Sequence, residues 1–114
     1  MNTLNEYATA GEARAARKLV RAALADGWTI SVNDGYETTV TRSSKEREIF
    51  DALCTTGEDI ITIHLPRSGK SGGSFWLIYG NDPDGSELIS DHSDNENCEG
   101  LVKAAYRVKT TIGQ

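Results

Sequence analysis

The stretch from residue 73 to residue 113 constrains the fold more than any other part of the chain. It contains the run Gly-Ser-Phe-Trp-Leu-Ile-Tyr-Gly-Asn, then the tetrapeptide Asp-Pro-Asp-Gly, then a second apolar segment and a run with helical spacing. The tetrapeptide is typical of a type I β-turn, which favours Pro at its second position and Gly at its fourth. Large apolar side chains fall on both faces of the first strand, so we expect it to be an inner strand of a sheet. Phe75, Leu77 and Tyr79 would lie on one face, and Trp76 and Ile78 on the other.

Three segments have helical periodicity. The first covers residues 5–26, and we expect it to begin properly near Glu12 because Gly11 is a weak helix former. The second covers residues 44–55, after a capping box formed by Ser43 and Glu46. The third follows a capping box formed by Ser93 and Glu96, and it continues through residue 112 to a terminating glycine at residue 113.

Strand patterns fill the intervals between these helices. Residues 28–32 and 36–41 flank an Asn-Asp-Gly turn and predict a hairpin. Residues 59–65 predict a third strand, a Gly- and Ser-rich loop spans residues 66–73, and two more strands surround the Asp-Pro-Asp-Gly turn. The sequence therefore predicts an α+β fold in the order α-β-β-α-β-β-β-α, with an antiparallel meander of about five strands and helices packed on one face. We expect one domain, residues 1–114. The order of the strands in the sheet does not follow from the sequence.

The charge balance limits the partners that this chain can bind. The net charge is −5, with 17 acidic and 12 basic residues, which argues against direct binding to nucleic acid or to an anionic membrane. The N-terminal residues lack the pattern of a signal peptide, and no apolar run is long enough to span a bilayer. Cys54 and Cys98 are expected to be reduced thiols of a cytoplasmic protein, although a disulfide between them remains an alternative.

No catalytic or metal-binding signature stands out. The segment from His64 to Ser71 resembles a P-loop only superficially, because the first glycine is missing and a strand follows instead of a helix. The histidines and cysteines lack the close spacing of zinc ligands, and Pro83 breaks the calcium-loop pattern around the turn. We therefore predict neither a metal nor a cofactor and no catalytic residues, and we favour a binding module over an enzyme.

The most informative surface feature is an acidic stretch without any Lys or Arg. Negative charge near the start of the last helix is favourable for the helix dipole, but this does not explain the acids that precede it. The sharper interpretation is an anionic surface that docks on a cationic partner. A third interpretation is internal neutralisation by the basic residues of the first helix, Arg14, Arg17, Lys18 and Arg21. The predicted interaction residues are Asp82, Asp84, Glu87, Asp91, Asp94, Glu96 and Glu99.

The segments from Trp76 to Asn81 and from Ile89 to Glu96 resemble the ends of small uncharacterised proteins encoded by phages and plasmids. The resemblance covers about a quarter of the chain and extends in general type to anti-CRISPR and anti-restriction proteins. It implies a mobile-element accessory protein that blocks a basic nucleic-acid-binding surface of a host defence complex. The expected partner is thus a host protein with a basic surface.

Two alternatives remain open at this stage. The first is a small ligand-binding protein or enzyme in which Arg67 and Lys70, on the loop at residues 66–73, hold an anionic ligand. The second is a structural protein that self-associates, for example as a homodimer, by pairing an exposed strand edge.

Overall fold

The computed structural model describes residues 7–80 and 83–106. Within these residues the chain forms three helices and five strands in the predicted order, which confirms the α+β fold. The predicted end of the last helix, with Ile112 and Gly113, lies outside the described residues. The elements are α1 (Ala10–Ala25), β1 (Thr29–Asn33), β2 (Thr38–Ser43), α2 (Glu46–Ala52), β3 (Glu58–His64), β4 (Ser71–Ile78), β5 (Ile89–His92) and α3 (Glu96–Tyr106).

The five strands form one antiparallel sheet in the order β2-β1-β3-β4-β5. The first two strands form the predicted hairpin, whose turn is held by the Asp34 carboxylate accepting the backbone N–H groups of Tyr36 and Glu37. These two hydrogen bonds hold the pKa of Asp34 below its ordinary value. Helix α2 then carries the chain from the edge strand β2 to β3, which pairs with β1. As predicted, β4 is an inner strand, because it pairs with both β3 and β5.

Helix α1 begins earlier than the sequence suggested. Thr9 is its N-cap, and its hydroxyl accepts the backbone N–H of Glu12 while the Glu12 carboxylate accepts that of Thr9. This capping box starts the helix at Ala10 and places Gly11 inside its first turn. The prediction that the helix begins near Glu12 was wrong because it weighed the low helix propensity of glycine and overlooked the Thr-x-x-Glu cap.

The other two helices start with caps that differ from those predicted. The N-cap of α2 is Lys45, with no side-chain hydrogen bond, and the Ser43 hydroxyl donates to Glu48 and accepts the backbone N–H of Lys45. At α3 the Asn95 side chain accepts the backbone N–H of Cys98, whereas Ser93 accepts the backbone N–H of Ser74 in β4. Both serines precede a glutamate at the right spacing, but Ser43 makes other local contacts and Ser93 makes a tertiary contact with β4.

The helices cover one face of the sheet, as expected. Leu19, Val20, Ile49 and Leu101 from the helices belong to the same core cluster as the inward side chains of the strands. Phe75, Leu77 and Tyr79 are buried in this core, which confirms the predicted assignment of the two faces of β4. No helix of the described residues is long and apolar enough to cross a membrane.

The opposite side of the sheet, which we call the open face, is at least partly exposed to solvent. Its side chains are half-buried or exposed throughout, and no described helix packs on them. They come from three adjacent strands and alternate with the core residues: Thr29, Ser31 and Asn33 from β1, Ile60, Thr62 and His64 from β3, and Ser74, Trp76 and Ile78 from β4.

Candidate functional site

The predicted interaction residues follow β5 and its two ends instead of forming a compact patch. Asp82 lies outside the described residues. Asp84 and Glu87 precede β5, Asp91 lies on it, and the remaining three lie at the start of α3. Because β5 has four residues, it separates the two ends by about 13 Å. We call this set the acidic strip. It comprises Asp84, Glu87, Asp91, Asp94, Glu96 and Glu99, all of which are exposed.

Some residues of the acidic strip stabilise the fold itself. The Asp84 carboxylate accepts the backbone N–H of Ser86, and the turn that contains it lies against the N-terminus of α1. Glu96 and Glu99 lie in the first turn of α3, where negative charge stabilises the helix. The helix dipole therefore explains why acidic residues occur at these two positions, but it does not explain the acidic residue at Asp91.

Four members of the strip, Asp91, Asp94, Glu96 and Glu99, form no ion pair with any described residue. The ion pair that the described residues do form joins Arg21 of α1 to Glu46 of α2, with 3.4 Å between Nε and Oε1. The Arg21 guanidinium also lies over the Phe50 ring, 5.1 Å from its centroid. Helix α1 thus directs Arg21 towards α2, and internal neutralisation of the acidic strip does not occur through this residue.

The most exposed large apolar side chain of the open face is Trp76, which is 45% exposed. It lies opposite Asp91 on β5 and Ile60 on β3. Its indole N–H donates to the Glu58 carboxylate, with 3.2 Å between Nε1 and Oε1. The indole is therefore oriented by one carboxylate and has a second, on the acidic strip, as its cross-strand neighbour.

A half-open depression of about 240 Å³ lies between β4 and β5 beside this indole. It is lined by Ser74, Phe75, Trp76, Asp91, His92 and Ser93. Sequence reasoning missed Trp76 and Glu58 as site residues. The sequence contained a signal for Trp76, because the even-numbered side chains of β4 face solvent when the helices cover the other face of the sheet.

The alternative anionic-ligand residues, Arg67 and Lys70, are both exposed on the loop between β3 and β4. The loop uses its own backbone donors: the N–H of Gly69 bonds to the Leu65 carbonyl, and that of Lys70 bonds to the Ser68 hydroxyl. A phosphate-binding loop needs such donors to point at the ligand. The backbone donors of Gly69 and Lys70 are therefore not free to hold a phosphate.

Ser31 and His64 form a hydrogen-bonded pair on the open face, with 3.0 Å between Oγ and Nε2. The other ring nitrogen of His64 lies 3.1 Å from the Gly69 carbonyl oxygen. Because a carbonyl only accepts, Nδ1 carries the proton, and in the neutral imidazole Nε2 accepts from the Ser31 hydroxyl. The serine, the histidine and the carbonyl oxygen are thus arranged like the nucleophile, the general base and the orienting group of a catalytic site.

The same serine oxygen also accepts the backbone N–H of Arg42. The backbone N–H of Arg42 is therefore already hydrogen-bonded and is not available to stabilise a substrate oxyanion. The contacts support a structural role in which Ser31 and His64 join β1, β2, β3 and the loop that follows β3.

A second polar cluster, which the sequence analysis did not identify, is buried beneath the helices. Asp59 is fully buried and accepts the Tyr79 hydroxyl at 2.6 Å and the backbone N–H of Cys54 at 2.9 Å, both on Oδ2. Its other oxygen has no hydrogen-bond partner among the described residues. Burial raises the pKa of Asp59 to about 6, that of Cys54 to about 11 and that of Tyr79 well above its ordinary value. Asp59 shares the parity of Ile61 and Ile63 in β3, and this alternation is the signal that could have placed it in the core.

Cys54 and Cys98 are free thiols, so the disulfide left open by the sequence is not formed. Within the described ranges, no group of three His, Cys, Asp or Glu side chains is arranged to hold a metal ion.

The two edge strands also disfavour pairing between copies of the chain. β2 has register irregularities and an Arg42 with a φ of 45°, and β5 has only four residues.

Comparison with known proteins gives no assignment of family or function. No family model, curated protein or solved structure matches the chain. The phage and plasmid resemblance stays a prediction.

Proposed function

We propose that this protein is a non-enzymatic binding module that docks its acidic strip, and the adjoining part of the open face, on the basic surface of a partner protein. The observation that carries the proposal is the set of exposed carboxylates along β5 and the start of α3 that have no ion-pair partner among the described residues. Asp91, the member nearest Trp76, joins this charge to an exposed aromatic side chain.

The two parts of this surface favour binding in different ways. Surface carboxylates attract a cationic partner over roughly one Debye length and raise the rate of association. An exposed tryptophan supplies apolar area that can be buried at the centre of an interface, where aromatic residues contribute most. A sheet face with both features is therefore suited to a specific protein complex.

The partner that fits this chemistry is a protein whose basic surface otherwise binds DNA or RNA. Within the mobile-element hypothesis, the module would occupy that surface in a host defence complex and exclude the nucleic acid. We place this interaction in the cytoplasm, where the two free thiols stay reduced. The protein itself is not expected to bind nucleic acid, because its net charge is −5.

Affinity capture from host cytosol, followed by mass spectrometry, tests this proposal. The variant Asp91→Lys/Asp94→Lys should lose basic partners that the native protein retains. The control variant Glu37→Lys/Asp51→Lys has the same change in net charge at exposed positions away from the strip, and it should retain them. Binding should weaken with added salt, and nucleic acid should compete with the module for the partner. Equal capture by both variants would show that the acidic strip is only a solvated surface.

A further inference from the structure

The surroundings of Trp76 combine an exposed aromatic ring with carboxylates on both neighbouring strands. Glu58 on β3 accepts the indole N–H. On the other side, Asp91 of β5 is the cross-strand neighbour of Trp76, and directly opposed residues have Cβ atoms about 4.5–5.5 Å apart. The indole thus lies between two acidic side chains, and one of them restrains its orientation.

The depression beside the indole is open to a ligand. Ser74 and Ser93 contribute to its wall together with Trp76 and Asp91, so polar atoms and an aromatic surface line the same space. Its volume of about 240 Å³ is sufficient for the end of one long side chain, and it is smaller than the roughly 300–1,000 Å³ of a typical small-molecule site. The shape favours a single inserted group over a whole cofactor.

The charge of the site favours a cation. Neither Glu58 nor Asp91 forms an ion pair with any described residue, and the described cation–π contact is that of Arg21 with Phe50, in the helical layer. The Asp91 carboxylate accepts the backbone N–H of its neighbour His92, which leaves further acceptor capacity for a donor from outside. An anionic ligand would be repelled by the same two carboxylates.

Among cations, a guanidinium suits the site better than an ammonium. A guanidinium is planar and weakly hydrated, so it can stack on an indole while its N–H groups bond to a carboxylate. An ammonium is a strongly hydrated point charge and gains less from stacking. We propose that the Trp76 depression is a receptor for an arginine side chain of the partner protein. This inference rests on the proposed function, because it names the residue of the basic partner that the docking surface recognises.

The experiment is a titration of the full-length protein with short peptides, followed by ¹H–¹⁵N NMR. The probes are acetyl-Gly-Arg-Gly-amide, the lysine analogue and the citrulline analogue, which keeps the shape of arginine without its charge. The arginine peptide should shift the Trp76 indole N–H and the amides of Ser74, Asp91 and His92. The Trp28 indole serves as an internal control and should not move.

Affinity should fall in the order arginine, lysine, citrulline. In the variants Trp76→Leu and Asp91→Asn, the amide shifts of Ser74 and His92 should saturate at peptide concentrations about two- to fivefold higher, as loss of one exposed cation–π or charge contact implies. The matched control Asp51→Asn removes the same charge from an exposed position of α2, away from the acidic strip, and should leave the titration unchanged. The inference is overturned if arginine and citrulline peptides shift these signals equally, or if Asp51→Asn weakens binding as much as Asp91→Asn does.

This result is separable from that of the capture experiment. If basic partners are captured through the acidic strip but the arginine peptide does not recognise Trp76, the receptor is wrong and the docking function stands. If the arginine peptide binds at Trp76 but the capture variants behave alike, the docking function fails even though the depression binds a guanidinium.

Discussion

Asp59 places an ionisable carboxyl group inside the buried core. Its carboxylate is fully buried, receives two hydrogen bonds on one oxygen and none from the described residues on the other. Burial raises its pKa from 3.8 to about 6, although the bonds from Tyr79 and Cys54 oppose the shift. The fold therefore prefers the protonated form of Asp59, whereas the unfolded chain ionises near pH 3.8.

The sign of the resulting pH dependence follows from this raised pKa. The stabilisation from protonated Asp59 is fully present below about pH 4 and is lost as the pH rises through about 6. A shift of about two units corresponds to about 3 kcal/mol in the free energy of unfolding. The variant Asp59→Asn, which stays neutral, should lack this loss, so its stability relative to the native protein should improve between about pH 4 and about pH 8.

Urea unfolding of both proteins across that range measures the difference. The variant Asp26→Asn, at an exposed carboxylate, is the control and should track the native curve. If the native and Asp59→Asn curves run parallel from acid to neutral pH, the raised pKa of Asp59 is wrong.

The two thiols give a second prediction at this scale. Burial raises the pKa of Cys54 to about 11 and also raises that of Cys98, whose side chain is fully buried. Since the thiolate is the reactive form, Cys54 should react with iodoacetamide at about pH 8 roughly a hundredfold more slowly in the native protein than in urea, and Cys98 should also react more slowly. Mass spectrometry of timed samples measures the labelling, and rapid modification of native Cys54 would contradict the assigned environment.

At the scale of elements, the junction between α1 and the turn before β5 depends on glycine. A Cβ on Gly11 would lie 2.3 Å from the Pro83 carbonyl oxygen, and a Cβ on Gly85, whose φ is +78°, would lie 2.4 Å from the Gly11 carbonyl oxygen. The same junction contains Glu12, whose carboxylate also accepts the backbone N–H of Gly80. The start of the first helix is thus built together with the end of β4 and the following turn.

This junction reverses the usual effect of replacing a helical glycine. Gly11→Ala should destabilise the protein, because the added methyl group meets backbone atoms that cannot move aside cheaply. The matched control is Gly100→Ala in α3, where an added Cβ meets nothing, and which should stabilise the protein by about 0.5–1 kcal/mol. Urea midpoints for the two variants provide the measurement. A gain in stability for Gly11→Ala would contradict the close approach.

At the scale of the whole molecule, the sheet separates the apolar core from the proposed docking surface. One face is covered by the helices and contains the apolar core, while the other presents Trp76, Ile60 and Ile78 beside polar side chains. The carboxylates around Trp76 come from β3 and β5, so the proposed receptor depends on the order of three strands. Neighbouring residues of β4 therefore have different surroundings, either the core or the open face, although they belong to one apolar run.

Substitutions at Phe75 and Trp76 test this division. Phe75 is fully buried, so Phe75→Ala should cost about 3–5 kcal/mol of unfolding free energy. Trp76→Ser removes a larger side chain from the open face but should cost less, about 2 kcal/mol, since nearly half of Trp76 is already exposed. Chemical denaturation of both variants gives the two values. A large loss of stability in Trp76→Ser would indicate that the open face is covered in the folded protein.

The sequence by itself determined the type and order of the elements, because helical and strand periodicities are local and the turns have strong residue preferences. It also determined which side chains of β4 share a face, since alternation along a strand is a property of the backbone. The helix caps were less predictable: Ser43 and Ser93 have suitable spacing, but contacts with Glu48 and with β4 use them otherwise.

Only the tertiary structure decided which strands are neighbours, and every feature of the candidate site depends on that decision. The order β2-β1-β3-β4-β5 brings Glu58, Trp76 and Asp91 together from three strands. It also brings Tyr79 to Asp59, twenty residues earlier in the chain. Strand order is set by the sum of weak packing terms across the whole core, whereas a local pattern reports only on its own segment. For this reason the acidic residues could be identified from the sequence, and their proximity to Trp76 could not.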